Sequence, residues 1–422
     1  MSNRYAPRRR YTSALSAIAV LLMSSLSGID AASWAHADAV KVSKEVGEPL
    51  KAATDLAQAG DYKGALAKLD AASAASTSAT EKYHIATVRR FIYAKTKDYA
   101  KLPPVIDSLI ASGLMPDADV KAARRELVQI EDRTGDTAAA MKAAKTYVNT
   151  YGHDKEMTIF VAGKALELKD FKAAFEWSGK AIDGERAAGR TPPETWYKIR
   201  MKSAYEIKNL DAYYSTIESV LKVYPNDTYW RALVSKAHSE PGYSPERLEL
   251  EEFRVLLAAG VKLSTEEKLG MAEAAFEREL SADALAILAP MEANGELKAD
   301  AAKAARNERL LAKAKADTEA DRAALKSIVA EATKGGDGKA LANVADLTMS
   351  LGDAKGAAAL YVTALSKPGL DAANANAVRL RLGIAQYKSG DVTGAKKTWS
   401  GLKGDDGVPD IARTWQLVAS RS

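Results

Sequence analysis

A short turn recurs along this chain at near-constant spacing, and it limits the fold more than any other feature. Gly60-Asp61-Tyr62, Lys97-Asp98-Tyr99, Gly135-Asp136-Thr137 and Lys169-Asp170-Phe171 each interrupt a helix-forming stretch. Asn209-Leu210, Ser281-Ala282, Ala316-Asp317, Gly352-Asp353 and Gly390-Asp391 continue the series more loosely, and Tyr243-Ser244-Pro245 bisects its widest gap. The mean step from Asp61 to Asp391 is about 37 residues, the length of a helix–turn–helix unit in a repeat array.

The residues in the turn explain themselves. Glycine takes a left-handed conformation at little steric cost and so ends the first helix. The Asp or Asn behind it can cap the next helix through its side-chain oxygen. A small residue follows four positions after that cap in five units: Ala65, Ala140, Ala174, Ala357 and Ala395. A small side chain there lets two helices approach closely. Between the turns, Ala, Leu, Lys and Glu dominate, all strong helix formers. Alternating Val/Ile/Thr runs and Asn-Gly hairpin turns are missing. The expected fold is therefore all-α, with about ten helix pairs.

These residues carry a resemblance to the tetratricopeptide repeat family. Leu382-Gly383, Ala385, Tyr387, Gly390, Ala395 and Trp399 fall at that family's signature spacing. Gly352, Ala357, Tyr361, Ala364 and Pro368 match in part, as do Gly60, Ala65, Leu69 and Ala72. Trp196, Ile199 and Tyr224-Pro225-Asn226 match more loosely, and residues 226–335 follow by period alone. The resemblance implies a tetratricopeptide-like α-solenoid wound as a right-handed superhelix. The tail from Leu402 to Trp415 is similar to the tails of exported tetratricopeptide-repeat proteins of Gram-negative bacteria, some of them assigned to TonB-type energy-transduction systems. As a turn followed by a helix, it reads as the cap that covers the last apolar face of an array.

The first residues read as an export signal. Arg4, Arg8, Arg9 and Arg10 are basic, Ala14 to Leu26 is mostly apolar, and Ala35-His36-Ala37 fits a small-x-small cleavage site before Asp38. The apolar core of about 13 residues is short of the roughly 20 that a spanning helix needs. Cleavage there would leave no membrane span and place the body in the periplasm; general secretion and twin-arginine export both remain open. The full chain carries a formal charge of +5. The signal holds four Arg and one Asp, so the remaining 385 residues carry 56 basic and 54 acidic groups, or +2. A near-neutral body argues against nucleic acid, which demands a concentrated basic surface.

The organisation expected is a signal at 1–37, an N-terminal array at 38–225, divergent helical repeats at 226–335, and a C-terminal pair with capping helix at 336–422. Two composition shifts accompany it. Residues 196–243 hold nine Trp and Tyr, of 6 Trp and 17 Tyr in the chain. Residues 291–334 hold none and read most simply as a pair of solvated helices, with a coiled-coil arm as the lesser alternative. Gly335-Gly336-Asp337-Gly338 then reads as a loop or hinge.

Little in the chain resembles a catalytic constellation. With 0 Cys and 4 His, thiolate chemistry is excluded and a histidine-rich metal site has little to draw on. Gly335 to Lys339 lacks the remaining residues of a phosphate-binding loop. Ser219-Val220-Leu221-Lys222 and Glu218-Ser219 each match a fragment of a cell-wall enzyme motif without its companions. No cofactor is implied. The reading is a non-enzymatic scaffold for a protein or peptide of the cell envelope, with its oligomeric state open. Groove candidates are Tyr197, Arg200, Tyr229, Trp230 and Arg231, since aromatic anchors with Arg suit an interaction hot spot. The bland alternative, that such rings fill the core, is favoured for Trp196 and Tyr205. Two other functions stay open: a peptidoglycan-active enzyme depending on Glu218, and a glycan-binding module.

Overall fold

A computed structural model describes residues 42–421; the segment read as an export signal lies outside the described residues. These residues form twenty α-helices and no strand. They divide into two compact units at Tyr213–Tyr214, inside α10 (Leu210–Leu221).

The N-terminal unit is an open stack. Its hairpins are α1 (Lys44–Gln58) with α2 (Tyr62–Ala75), α3 (Ala79–Thr96) with α4 (Leu102–Ala111), α5 (Asp117–Thr134) with α6 (Thr137–Tyr151), and α7 (Lys155–Glu167) with α8 (Phe171–Ala187); α9 (Glu194–Glu206) follows. Each helix packs on the next, with additional contacts between α1 and α3 and between α7 and α9. Apolar burial follows the same local order. One cluster centres on Leu69 and Ile92, the next on Ile106 and Ile130, the third on Met157, Val161 and Trp177.

The turn works as its chemistry requires. The side chains of Asp61, Asp136, Asp170, Asp353 and Asp391 each accept a hydrogen bond from the backbone N–H three residues on, at 2.7–3.0 Å. The alanines expected to sit at close approaches, Ala65, Ala140, Ala174, Ala357 and Ala395, have no solvent exposure. Gly60, Gly135, Gly352 and Gly390 take positive φ; Lys97, Lys169 and Lys208 hold the equivalent position at φ 58°.

The C-terminal unit is a closed circuit. It contains α11 (Asp227–Lys236), α12 (Pro245–Ala258), α13 (Thr265–Glu277), α14 (Ser281–Ala293), α15 (Ala301–Lys334), α16 (Gly338–Ser350), α17 (Ala354–Ser366), α18 (Ala372–Lys388), α19 (Val392–Ser400) and α20 (Val408–Ala419). Consecutive helices pack in order, and α20 returns to pack on α11 and α12 as well as on α18 and α19. Polar contacts fix the return: Lys236 Nζ to Asp410 at 2.6 Å, Gly242 N–H to Asp405 O at 2.8 Å, and Arg413 to Glu218. The tail thus caps α19 as expected and also meets the first helices of its own unit.

Two expectations change. Residues 301–334 form one helix of 34 residues rather than part of a pair. Ala316-Asp317 has neither Gly nor a left-handed residue, and Lys313 pairs with Asp317 one turn on, so the helix runs through. The Gly335–Gly338 segment is short and tethered: Asp337 caps α16, and Gly338 N–H donates to Pro368 O at 2.7 Å.

Candidate functional site

The sequence-nominated residues divide by environment. Tyr197 on α9 is 1% exposed, and its hydroxyl accepts a hydrogen bond from Arg186 at 3.1 Å. Tyr229 and Trp230 on α11 are also buried, and Arg421 lies over the Trp230 ring. These three rings are spent on packing. Arg200 and Arg231 keep access to solvent. Arg200 donates to Phe175 O at 2.9 Å and lies 4.0 Å over the Phe175 ring, crossing α8 where Gly179 leaves room. Burial lowers its pKa, and nearby Arg186 adds to that. Arg231 pairs with Glu267 and donates to Lys262 O at 3.0 Å. The structure therefore does not gather the five into one surface. Trp196 is core, as favoured, but Tyr205 is 62% exposed because it stands on the last turn of α9, in ring contact with Tyr213.

The exposure of Tyr205 belongs to a pattern. Leu168, Tyr205, Ile207 and Leu210 are half of the large apolar side chains exposed among the described residues. Leu168 and Ile207 end α7 and α9 at the same place, each followed by a Lys at φ 58°. Gly60 and Gly135 occupy the left-handed position in earlier turns, preceded by Ala59 and Thr134. An apolar rim on two successive turns is thus specific to this part of the stack, and it faces water at a cost that burial against a partner would remove.

A second feature is not legible in any motif. In the C-terminal unit, Glu251 and Arg254 of α12, Arg278 after α13, Asp283 of α14, Asp346 of α16, Tyr361 of α17 and Arg381 of α18 form one buried network. Arg254 Nη1 donates to both Glu251 oxygens at 3.0 Å, and its Nη2 donates to Asp283. Arg278 bridges Glu251 at 2.8 Å and Asp346 at 2.7 Å. Tyr361 donates to Asp346, which also lies 3.0 Å from Arg381 Nε. Burial would raise the Glu251 pKa, but Arg254, Arg278 and Arg381 outweigh it and hold it at about 2. Burial, then Asp346, pushes the Tyr361 pKa far up. The network ties six helices together across the circuit.

Two arrangements invite a catalytic reading and do not support one. Thr158, His153 and Glu185 lie in sequence, with 3.3 Å from Thr158 Oγ1 to His153 Nδ1 and 3.8 Å from His153 Nε2 to Glu185. Thr158 is 1% exposed, so no substrate reaches its hydroxyl, and Arg190 grips both Glu185 oxygens at 2.8 and 2.6 Å. Glu218 is held by Arg413 of the cap. No group of three or more His, Asp or Glu among the described residues could hold a metal ion.

No protein-family model matches the chain, and no curated protein sequence does. Solved structures do match. A tetratricopeptide repeat protein from Parabacteroides merdae ATCC 43184 aligns at 11% identity over 80% of this chain and 99% of its own, with a TM-score of 0.27. The P58(IPK) TPR domain aligns at 12% identity over 89% of this chain and 99% of its own, with a TM-score of 0.20. A chain of Naa15/Naa10 bound to HypK-THB aligns at 14% identity over 85% of this chain, which spans 58% of its length, with a TM-score of 0.29. The fold class stated here, an all-α array of tetratricopeptide-like helical hairpins, rests on the hairpins themselves.

Proposed function

We propose that this protein is a non-enzymatic scaffold that binds a protein or peptide partner through the apolar rim of its N-terminal unit. The observation that carries the reading is the exposure of Leu168, Tyr205, Ile207 and Leu210 at consecutive turns of an open stack. Hairpin stacks of this kind present extended surfaces whose loops vary without disturbing the core. The proposal places the protein in the periplasm, supported by the basic, apolar and Ala-x-Ala segments of residues 1–37. A cell-envelope partner follows from that location, with TonB-type transport as the example that the C-terminal resemblance supplies.

A photo-crosslinking amino acid at Tyr205 or Ile207 of the full-length protein, introduced in cells, tests the reading. Lys326 on the exposed face of α15 is the control. Discrete adducts with one envelope protein from both rim positions, absent from the control, are expected. Adducts of equal pattern at all three positions, or none at the rim, would remove the rim as the docking surface. The glycan alternative draws on the same Tyr205–Tyr213 pair. Every Trp among the described residues is buried, so tyrosine rather than tryptophan emission is the signal for sugar stacking.

A further inference from the structure

The buried network of the C-terminal unit balances its charges except at one end. Three carboxylates, Glu251, Asp283 and Asp346, face three guanidinium groups, Arg254, Arg278 and Arg381. Each carboxylate is engaged. Lys388, on the same helix as Arg381, adds a fourth cation with no ion pair or hydrogen bond among the described residues. Arg381 is itself only partly used: its one protein partner is Asp346, near Nε and out of line for a hydrogen bond. Its terminal nitrogens donate to no protein acceptor, although the residue is 9% exposed. The donor that is both buried and unpartnered is Nε, whereas the terminal nitrogens keep access to solvent.

The two groups share a face. Seven residues bring an α-helix almost back into register, so Arg381 and Lys388 lie on one side of α18, roughly 10 Å apart along its axis. Both feel the same neighbours: Arg381 acts on Glu251, and Lys388 senses Arg254, Asp283 and Glu251. Lys388 reaches solvent, yet its pKa is lowered, first by loss of surrounding water and then by the charge of Arg254. This face of α18 therefore carries surplus positive charge, N–H donors without a protein acceptor, and a route to solvent at Lys388.

The geometry points to an oxyanion-binding site on α18, formed by Arg381 and Lys388 and backed by the buried network. Its ligand class is a carboxylate or phosphate group, free or carried on a larger molecule. Arg381 supplies a planar pair of donors and Lys388 a mobile point charge, a pairing suited to oxygen anions. The network serves the site as well as the fold. Because Asp346 and Arg278 fix Arg381, the donors are held in place before the anion arrives.

The test uses the full-length protein at constant ionic strength, with sodium phosphate and sodium acetate titrated separately against a chloride reference. Thermal unfolding and calorimetry report binding, and amine acylation followed by mass spectrometry reports access to Lys388. At least one of the two anions should raise the melting temperature saturably and shield Lys388 from acylation. Lys388→Ala should fold normally, since the side chain is exposed, and should weaken binding at least tenfold. Arg381→Lys provides a second variant that keeps the charge and loses the planar donors; it should weaken binding too. A response to phosphate alone, or to acetate alone, identifies the source of the oxyanion. If neither anion binds, or if Lys388→Ala binds as wild type does, the site does not exist.

Discussion

Single residues decide how closely these helices approach. Gly383 is the clearest case: a Cβ there would lie 2.2 Å from Nε1 of Trp399, which donates to Leu380 O at 3.1 Å. Alanine normally stabilises a helix interior by about 1 kcal/mol over glycine. Here the indole reverses the sign, and Gly383→Ala should destabilise by about 1–3 kcal/mol, as overpacking does. Urea unfolding checks it; a variant as stable as wild type would mean that Trp399 can move aside. The sequence showed Gly383 and Trp399 as a spaced pair through their resemblance to the tetratricopeptide signature positions. It nominated Tyr197 for the groove and Tyr205 for the core, and their burial is the reverse. Both are tyrosines on one helix, and only the arrival of Arg186 beside one and of solvent beside the other separates them.

Elements are set by their ends. The repeated Asp cap ties each second helix to its turn, so Asp170→Ala should cost about 1 kcal/mol. That loss should appear in the denaturant midpoint with little change in slope. Asp98 is the instructive exception: it caps nothing through its side chain and leads into a 3-10 turn over Tyr99–Lys101. Helices with a strong stop were legible from their residues. α15 was not: its Ala-rich run reads most simply as a pair of helices, and with no Gly or Pro to break it the run forms one. The apolar rim was hidden for a related reason. Leu168 and Ile207 end helices, where apolar residues are usually covered, and exposure is a property of the surroundings rather than of the residue.

Across the molecule the two units differ in how contacts are distributed. In the C-terminal unit, Glu251 lies at the centre, and its depressed pKa gives a signed pH dependence. A carboxylate held at about 2 contributes stability that is complete above the ordinary value near 4.3 and fades as pH falls toward 2. Acid unfolding followed by circular dichroism should therefore steepen below about pH 4. Glu251→Gln should flatten that dependence and cost about 3–5 kcal/mol at neutral pH, because two buried arginines lose their anion. Ending the chain at Gly401 should lower hydrogen-exchange protection in α11 and α12 as well as in α18 and α19. Protection confined to its wild-type level in α11 and α12 would show that the return of α20 is dispensable there. The capping tail was legible beforehand, but its return to α11 and α12 and the buried network were not: Glu251, Asp346 and Arg381 are ordinary helix residues until the circuit closes.

Closure also imposes an order in time. The open stack can form progressively as the chain emerges from the ribosome or a translocation channel, since each helix needs only the next one or two. The circuit cannot, because Lys236 waits for Asp410, 174 residues later. Until α20 and the turn before it emerge, the surface around Ala237 and Leu248 that Gly407 closes over stays open. Closing so long a loop adds little to the final stability balance but slows folding. The half-made protein should therefore carry its greatest aggregation risk late, in its second unit, and any chaperone that attends it should be needed there longest.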